Sequence, residues 1–222
     1  MCAPAFRILL GAAALAMSSV PASARTVVRI GDSAPVYAAP DGALLRSAGG
    51  PVLEHGSAWV ARRRGGWLGI RTAYRRDGEL GWIRETWARP LMTTALLVTV
   101  ELGAHRVVVT QAGVPLLVAP VAVGARRSPT PVTSTSVAER LVVTPSSGYS
   151  RRAYGPVIVA LRLWQPAPSP RFPTGGMMAF HGGVTAAPIG FAVSAGCLRM
   201  RDRDVERLAE LVRAGTPVVI RP

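Results

Sequence analysis

Lysine and asparagine are both absent from this 222-residue chain, cysteine occurs twice and histidine three times. Without lysine no serine–lysine dyad is possible, and His55, His105 and His181 are too scattered for a His-x-x-x-His zinc site. No metal or other cofactor is expected. The shortage extends to acid: Asp and Glu total 12 against 26 basic residues, all arginine, for a formal charge of +14. A high-GC coding bias accounts for arginine throughout, since arginine and lysine serve solvated faces alike and differ mainly at bidentate sites. The basic groups Arg62-Arg63-Arg64, Arg75-Arg76, Arg126-Arg127 and Arg151-Arg152 are spread along the chain. That spread fits general attraction to an anionic polymer better than a defined groove.

The first 24 residues read as a secretory signal. Arg7 supplies the positive charge, Ile8 to Met17 form an apolar and small run, and Ala22-Ser23-Ala24 has the small-x-small form of a cleavage site. The alternative is a retained anchor, but the run falls short of the roughly 20 apolar residues that span a bilayer. Cleavage after Ala24 removes Cys2, leaves about 198 residues and no integral membrane span, and makes Cys197 solitary. The expected location is exported, in the periplasm or cell wall, where the anionic polymer is cell-wall material rather than nucleic acid. A lone thiol there is inert, shared with a partner, or reactive.

The expected class is mainly β, in two regions. From residue 26 to 90, short β-type runs alternate with turn signals such as Pro40-Asp41-Gly42 and Asp77-Gly78, which suggests a small barrel. Val36-Tyr37, Gly65-Gly66-Trp67-Leu68 and Gly81-Trp82-Ile83 together resemble bacterial SH3-like domains. Trp59, Trp67 and Trp82 are expected to pack the core and hairpins rather than form a ligand shelf. Arg84 to Met92 is the expected boundary. From residue 94 to 222 more strands follow: Leu96 to Glu101 and Arg106 to Thr110 as a hairpin, then Leu116 to Val123, Arg140 to Thr144 and Val157 to Leu163. One short helix is expected after Met200, with Asp202 as N-cap, an apolar stripe of Val205, Leu208, Leu211 and Val212, and Gly215 at its end. Thr216 to Ile220 returns as a last strand.

Cysteine–histidine chemistry is the nucleophilic option the composition leaves open. His105 falls in a hairpin loop and His55 in the small N-terminal region. His181 follows the apolar run Met177-Met178-Ala179-Phe180 and precedes Gly182-Gly183, at a strand end of the kind that carries catalytic groups. Spacing alone does not separate a His181/Cys197 dyad from two unrelated residues.

The run His181-Gly182, then Ser194-x-Gly196-Cys197-Leu198-Arg199-Met200, then a helix and Gly215-Thr216-Pro217, resembles the catalytic core of the YkuD-type L,D-transpeptidases. Upstream, Val123-Gly124, Ser128-Pro129-Thr130-Pro131 and Tyr154-Gly155 are similar to that family's earlier landmarks, in the same order. The resemblance covers roughly Leu96 to Pro222 and implies a β-sandwich catalytic domain acting on peptidoglycan stem peptides. It implies that Cys197 attacks the carbonyl of the stem's third residue, expels D-alanine and holds a thioester until an amine of a neighbouring stem resolves it. His181 would be the base, and the amides of Gly196 and Cys197 the oxyanion donors. No Asp or Glu lies between Glu139 and Asp202, so the Gly182 carbonyl is the expected orienter of the imidazole. Ser194, Phe180 and Arg199 are candidate substrate contacts, with an ion pair to Asp202 or Asp204 as the other reading of Arg199. The chain departs from the family pattern at Ala195, where histidine is usual, and at Thr133, where glycine is common. Two alternatives stay open: an L,D-carboxypeptidase that uses water as acceptor, and a catalytically weak cell-wall-binding protein.

Overall fold

A computed structural model of the chain describes residues 24–31, 33–46, 56–71, 79–165, 176–183 and 188–222. The expected leader, His55 and the Asp77-Gly78 turn lie outside the described residues. The protein is mainly β with little helix, and no helix among the described residues is long and apolar enough to cross a membrane.

The first part of the chain forms strands β1 (Arg25–Ile30), β2 (Val36–Tyr37), β3 (Leu44–Arg46), β4 (Gly56–Trp59), β5 (Arg62–Arg64), β6 (Trp67–Arg71), β7 (Leu80–Arg84) and β8 (Ala88–Thr94). They make two sheets, β4-β1-β8 and β3-β2-β7-β6-β5. Val28, Ile30, Val36, Leu68, Ile70 and Ile83 supply their shared apolar core. Trp67 and Trp82 are buried; Trp67 meets Tyr37 edge-on at 5.1 Å and carries Arg84 over its face at 4.1 Å. The expected boundary is itself built in, because Glu85–Trp87 forms a 3-10 turn and β8 pairs with β1 along its length. Only Ala95 separates β8 from the next strand.

The remainder comprises β9 (Leu96–Glu101), β10 (Arg106–Gln111), β11 (Val114–Pro120), β12 (Val123–Gly124), β13 (Thr133–Val142), α1 (Arg151–Tyr154), β14 (Val157–Gln165), β15 (Gly176–His181), β16 (Ala192–Ser194), β17 (Leu198–Arg199), α2 (Asp202–Leu211) and β18 (Pro217–Arg221). Eight of these strands form one curled sheet in the order β11-β10-β9-β18-β13-β14-β15-β17. Ala112 (φ 50°) and Gly113 (φ 86°) supply the two left-handed positions of the β10–β11 turn, whose twist matches that of the flanking strands. The C-terminal strand β18 inserts between β9 and β13, parallel to β9. The curl lets Val98 and Val107 from one end share a core with Leu161 and Phe180 from the other, closed by Val205, Leu208 and Ala209 of α2.

The expected cap of α2 is displaced by one residue. Arg201 holds the N-cap position and makes no side-chain capping bond, while Asp202 is the first helical residue. Its carboxylate instead accepts the Gly183 amide at 2.7 Å, a tertiary bond across to the end of β15.

Candidate active site

His181 is the last residue of β15, held between Ile158 of β14 and Arg199 of β17. Its ring is buried and lies 5.2 Å, centroid to centroid, from that of Tyr154. Nδ1 stands 2.8 Å from the Gly182 carbonyl oxygen. A carbonyl only accepts, so Nδ1 carries the hydrogen of this bond. The carbonyl is itself held: the Gly182 amide donates to Tyr154 O at 3.0 Å, and the neighbouring Gly183 amide donates to Asp202. Close approach requires glycine here, since a Cβ on Gly182 would fall 2.1 Å from Asp202 Oδ1. The gap in acidic residues between Glu139 and Asp202 is thus bridged in space. The signal for Asp202 was present in the sequence, but a helix start reads first as a cap.

Cys197 ends the loop that joins β16 to β17, and every carbonyl of that loop is engaged. Ser194 O accepts from the Ala125 amide at 2.9 Å, Ala195 O from Ser128 Oγ at 2.9 Å, Gly196 O from Thr130 Oγ1 at 2.8 Å, and Cys197 O from Ser194 Oγ at 2.6 Å. Thr130 Oγ1 also accepts the Gly124 amide at 2.8 Å, and Gln165 Nε2 donates to Pro129 O at 2.8 Å. Gly196 sits at φ 116°, where a Cβ would fall 2.1 Å from Gln165 Nε2. The segment from Gly124 to Thr130 and the end of β14 therefore clamp the loop from behind. Sequence reasoning had Ser128 and Thr130 only as landmarks and passed over Gln165, 32 positions from the cysteine in sequence.

The clamp also engages polar groups of the loop itself. The Gly196 amide donates to Ser194 Oγ at 3.1 Å, which commits it within the loop. The Cys197 amide makes no hydrogen bond to another described residue. Ser194 is buried, with its hydroxyl spanning Gly196 N and Cys197 O, a turn-holding position rather than one open to a ligand.

Cys197 and His181 line the same cavity, of about 230 Å³. Its other walls include Leu141, Tyr149, Tyr154, Ile158, Ala160, Gln165, Met177, Ala179 and Ala195. None of the three candidate substrate contacts, Ser194, Phe180 and Arg199, is among the residues that line it. Phe180 is fully buried in the main core, because alternation along β15 turns it to the face opposite Ala179 and His181. Arg199 is half-buried and does not line the cavity, while Asp204 pairs with Arg203 at 3.5 Å and Asp202 is taken by Gly183.

Burial pushes the Cys197 thiol above its ordinary range, and the Ala179 amide and the Arg199 charge only partly offset this. The thiol accordingly rests protonated and lies 4.0 Å from Met177 O. Such a thiol becomes a nucleophile only when a base takes its proton. His181 and Glu139 are the side chains lining this cavity that could take a proton.

Compared with curated protein sequences, the chain has no significant match. Among solved structures it is similar to an L,D-transpeptidase from Mycobacterium tuberculosis H37Rv, with 21% identity over 64% of this chain and 72% of that one and a TM-score of 0.46. L,D-transpeptidase 3 from the same species matches with 18% identity, coverage of 64% and 73–74%, and a TM-score of 0.45. An L,D-transpeptidase from Mycobacterium smegmatis matches with 16% identity over 85% of this chain and 100% of that one, at a TM-score of 0.44. The family profile of the YkuD L,D-transpeptidase catalytic domain matches residues 96–220, which carry the curled sheet, the cavity and the clamped cysteine loop, and the chain belongs to that family.

Proposed function

We propose that the protein is a cysteine-dependent peptidoglycan L,D-transpeptidase, exported to the periplasm or cell wall. The observation that carries this is the shared cavity of Cys197 and His181, with the imidazole tautomer set by a 2.8 Å bond to the Gly182 carbonyl. In the first half-reaction His181 Nε2 takes the thiol proton, and Cys197 Sγ attacks the carbonyl carbon of the stem's third residue. The Cys197 amide donates to the oxygen that gains charge. The C–N bond then breaks, His181 returns the proton to the leaving nitrogen, and D-alanine departs from a thioester. In the second half-reaction His181 deprotonates an amine of a neighbouring stem, which attacks the thioester, and the thiol is restored.

Residues 26–90 are read as an SH3-like domain joined to the catalytic domain of residues 94–222, after a signal of residues 1–24. The charge of +14 supports attraction to anionic cell-wall polymer.

The test is intact mass after incubation with a carbapenem, together with analysis of products from stem tetrapeptides. The expected result is one covalent adduct on Cys197, D-alanine release, a cross-linked dimer, and loss of all three in Cys197→Ala. A folded protein that forms no adduct and releases no D-alanine would overturn the enzymatic reading. Tripeptide without dimer would convert it to a carboxypeptidase.

A further inference from the structure

Twenty-six arginines are distributed along this chain, yet none lines the described wall of the Cys197 cavity, and the wall's single carboxylate is Glu139. Its place follows from strand register. Glu139 of β13 stands opposite Ala160 of β14, and Ala160 opposite Ala179 of β15. The adjacent row on the same face is Leu141, Ile158 and His181. Two inter-strand steps of about 4.8 Å put Glu139 roughly 10 Å from Ala179. Parallel pairing of Phe180 with Leu198 and of His181 with Arg199 puts Cys197, one residue earlier, beside Ala179. The carboxylate and the nucleophile thus mark the two sides of a trough whose floor is two alanines, small enough to leave it open.

The Glu139 carboxylate makes no ion pair or hydrogen bond with another described residue. Its chain neighbour Arg140 does not neutralise it: alternation turns that guanidinium to the other face, where Nη1 donates to Ala209 O at 2.6 Å. A carboxylate with no ion-pair partner among the described residues, beside the small side chains of Ala160 and Ala179, is placed to receive a cation carried by the substrate.

From this we infer that Glu139 is a specificity-determining residue, which receives the side-chain ammonium of the stem residue whose carbonyl Cys197 attacks. The inference rests on the proposed transpeptidase reading. Its geometry fits a diamino acid at that position, in which about five or six single bonds of roughly 1.5 Å separate the carbonyl carbon from the distal nitrogen. An extended side chain of that length crosses the alanine floor and meets the carboxylate in a charge-assisted hydrogen bond. A neutral side chain of the same length leaves Glu139 without its partner.

The experiment compares two donor tetrapeptides that differ only in whether the distal amine of the third residue is free or acetylated, with D-alanine release as the readout. For the wild-type protein, kcat/KM is expected to favour the free amine by about fivefold to tenfold at low salt, mostly through KM, with the preference shrinking as salt screens the exposed pair. In Glu139→Gln the ratio is expected to fall close to one, and Glu139→Asp to recover part of it. If Glu139→Gln lowers both rates alike and keeps the ratio, or if wild type shows no preference, the inference is overturned while the transpeptidase reading stands. Release of D-alanine from neither peptide by folded wild-type protein overturns both.

Discussion

Thr130 illustrates how much of this site depends on groups that do not touch the cavity. Its buried hydroxyl donates to Gly196 O and accepts from Gly124 N, so Thr130→Val keeps the shape but leaves two buried backbone groups unpaired. A loss of about 2 kcal/mol is expected, seen as a lower Tm. The carbapenem acylation rate should also fall by about tenfold or more, because a nucleophile displaced by a fraction of an ångström loses much of its positioning advantage. Cys197 itself supplies a pH prediction. Burial raises its thiol above 9.0, so the fold binds that proton more tightly than the unfolded chain does. The resulting stabilisation is complete below the unfolded value near 9 and is lost as pH rises through the folded value. Denaturant midpoints measured from pH 8 to 11 should therefore fall less steeply in Cys197→Ala than in wild type. In His181→Ala, alkylation of Cys197 should be slow at pH 7 and recover only under alkaline conditions.

Among the elements, α2 and β15 are joined by one carboxylate. Asp202→Ala removes the acceptor of the Gly183 amide and loosens the Gly182 carbonyl that orients His181. The expected outcome is a kcat loss of roughly tenfold with little change in KM, since no substrate contact is removed. At the far side of the sheet Glu101 of β9 pairs with Arg221 of β18 and Arg106 of β10, and these guanidinium groups hold its carboxyl below the ordinary range. Its contribution is present above the unfolded value near 4.5 and is lost as pH falls through the lower folded value. Glu101→Gln should accordingly flatten the acid limb of a stability profile between pH 5 and 2. These elements were legible in outline. The β9–β10 hairpin, β14 and α2 stand where β-branched runs and an apolar stripe predicted them. The Asp202 cap did not, because local pattern cannot tell a carboxylate used at a helix end from one used by another strand.

For the molecule as a whole, the N-terminal sheets are seated on the catalytic sheet rather than strung from it. Val27 of β1 is fully buried against Gly215, where φ is 88° and a Cβ would fall 2.2 Å from Val27 Cγ1. Arg162 of β14, also buried, donates from Nε to Ser57 O of β4 at 3.2 Å. Gly215→Ala is expected to cost about 3 kcal/mol through strain and overlap, lowering Tm by roughly 6–12 °C and exposing the segment between β8 and β9 to limited proteolysis. The same β14 that meets Ser57 ends in Gln165 behind the cysteine loop, so the two halves of the chain meet on a strand that also supports that loop.

Residue type and order alone determined the β-rich class, the likeness to the YkuD family over residues 96–220 and the placement of His181 at a strand end. These depend on local periodicity and on which reactive side chains exist at all. The tertiary structure decided what surrounds them. It directed Phe180 to the core, closed Ser194 and the Gly196 amide into a turn, brought Thr130 and Gln165 behind Cys197, and aligned Glu139 with the alanine floor. Each of these turns on strand register, where a one-residue step moves a side chain to the opposite face, or on hydrogen bonds between residues tens of positions apart.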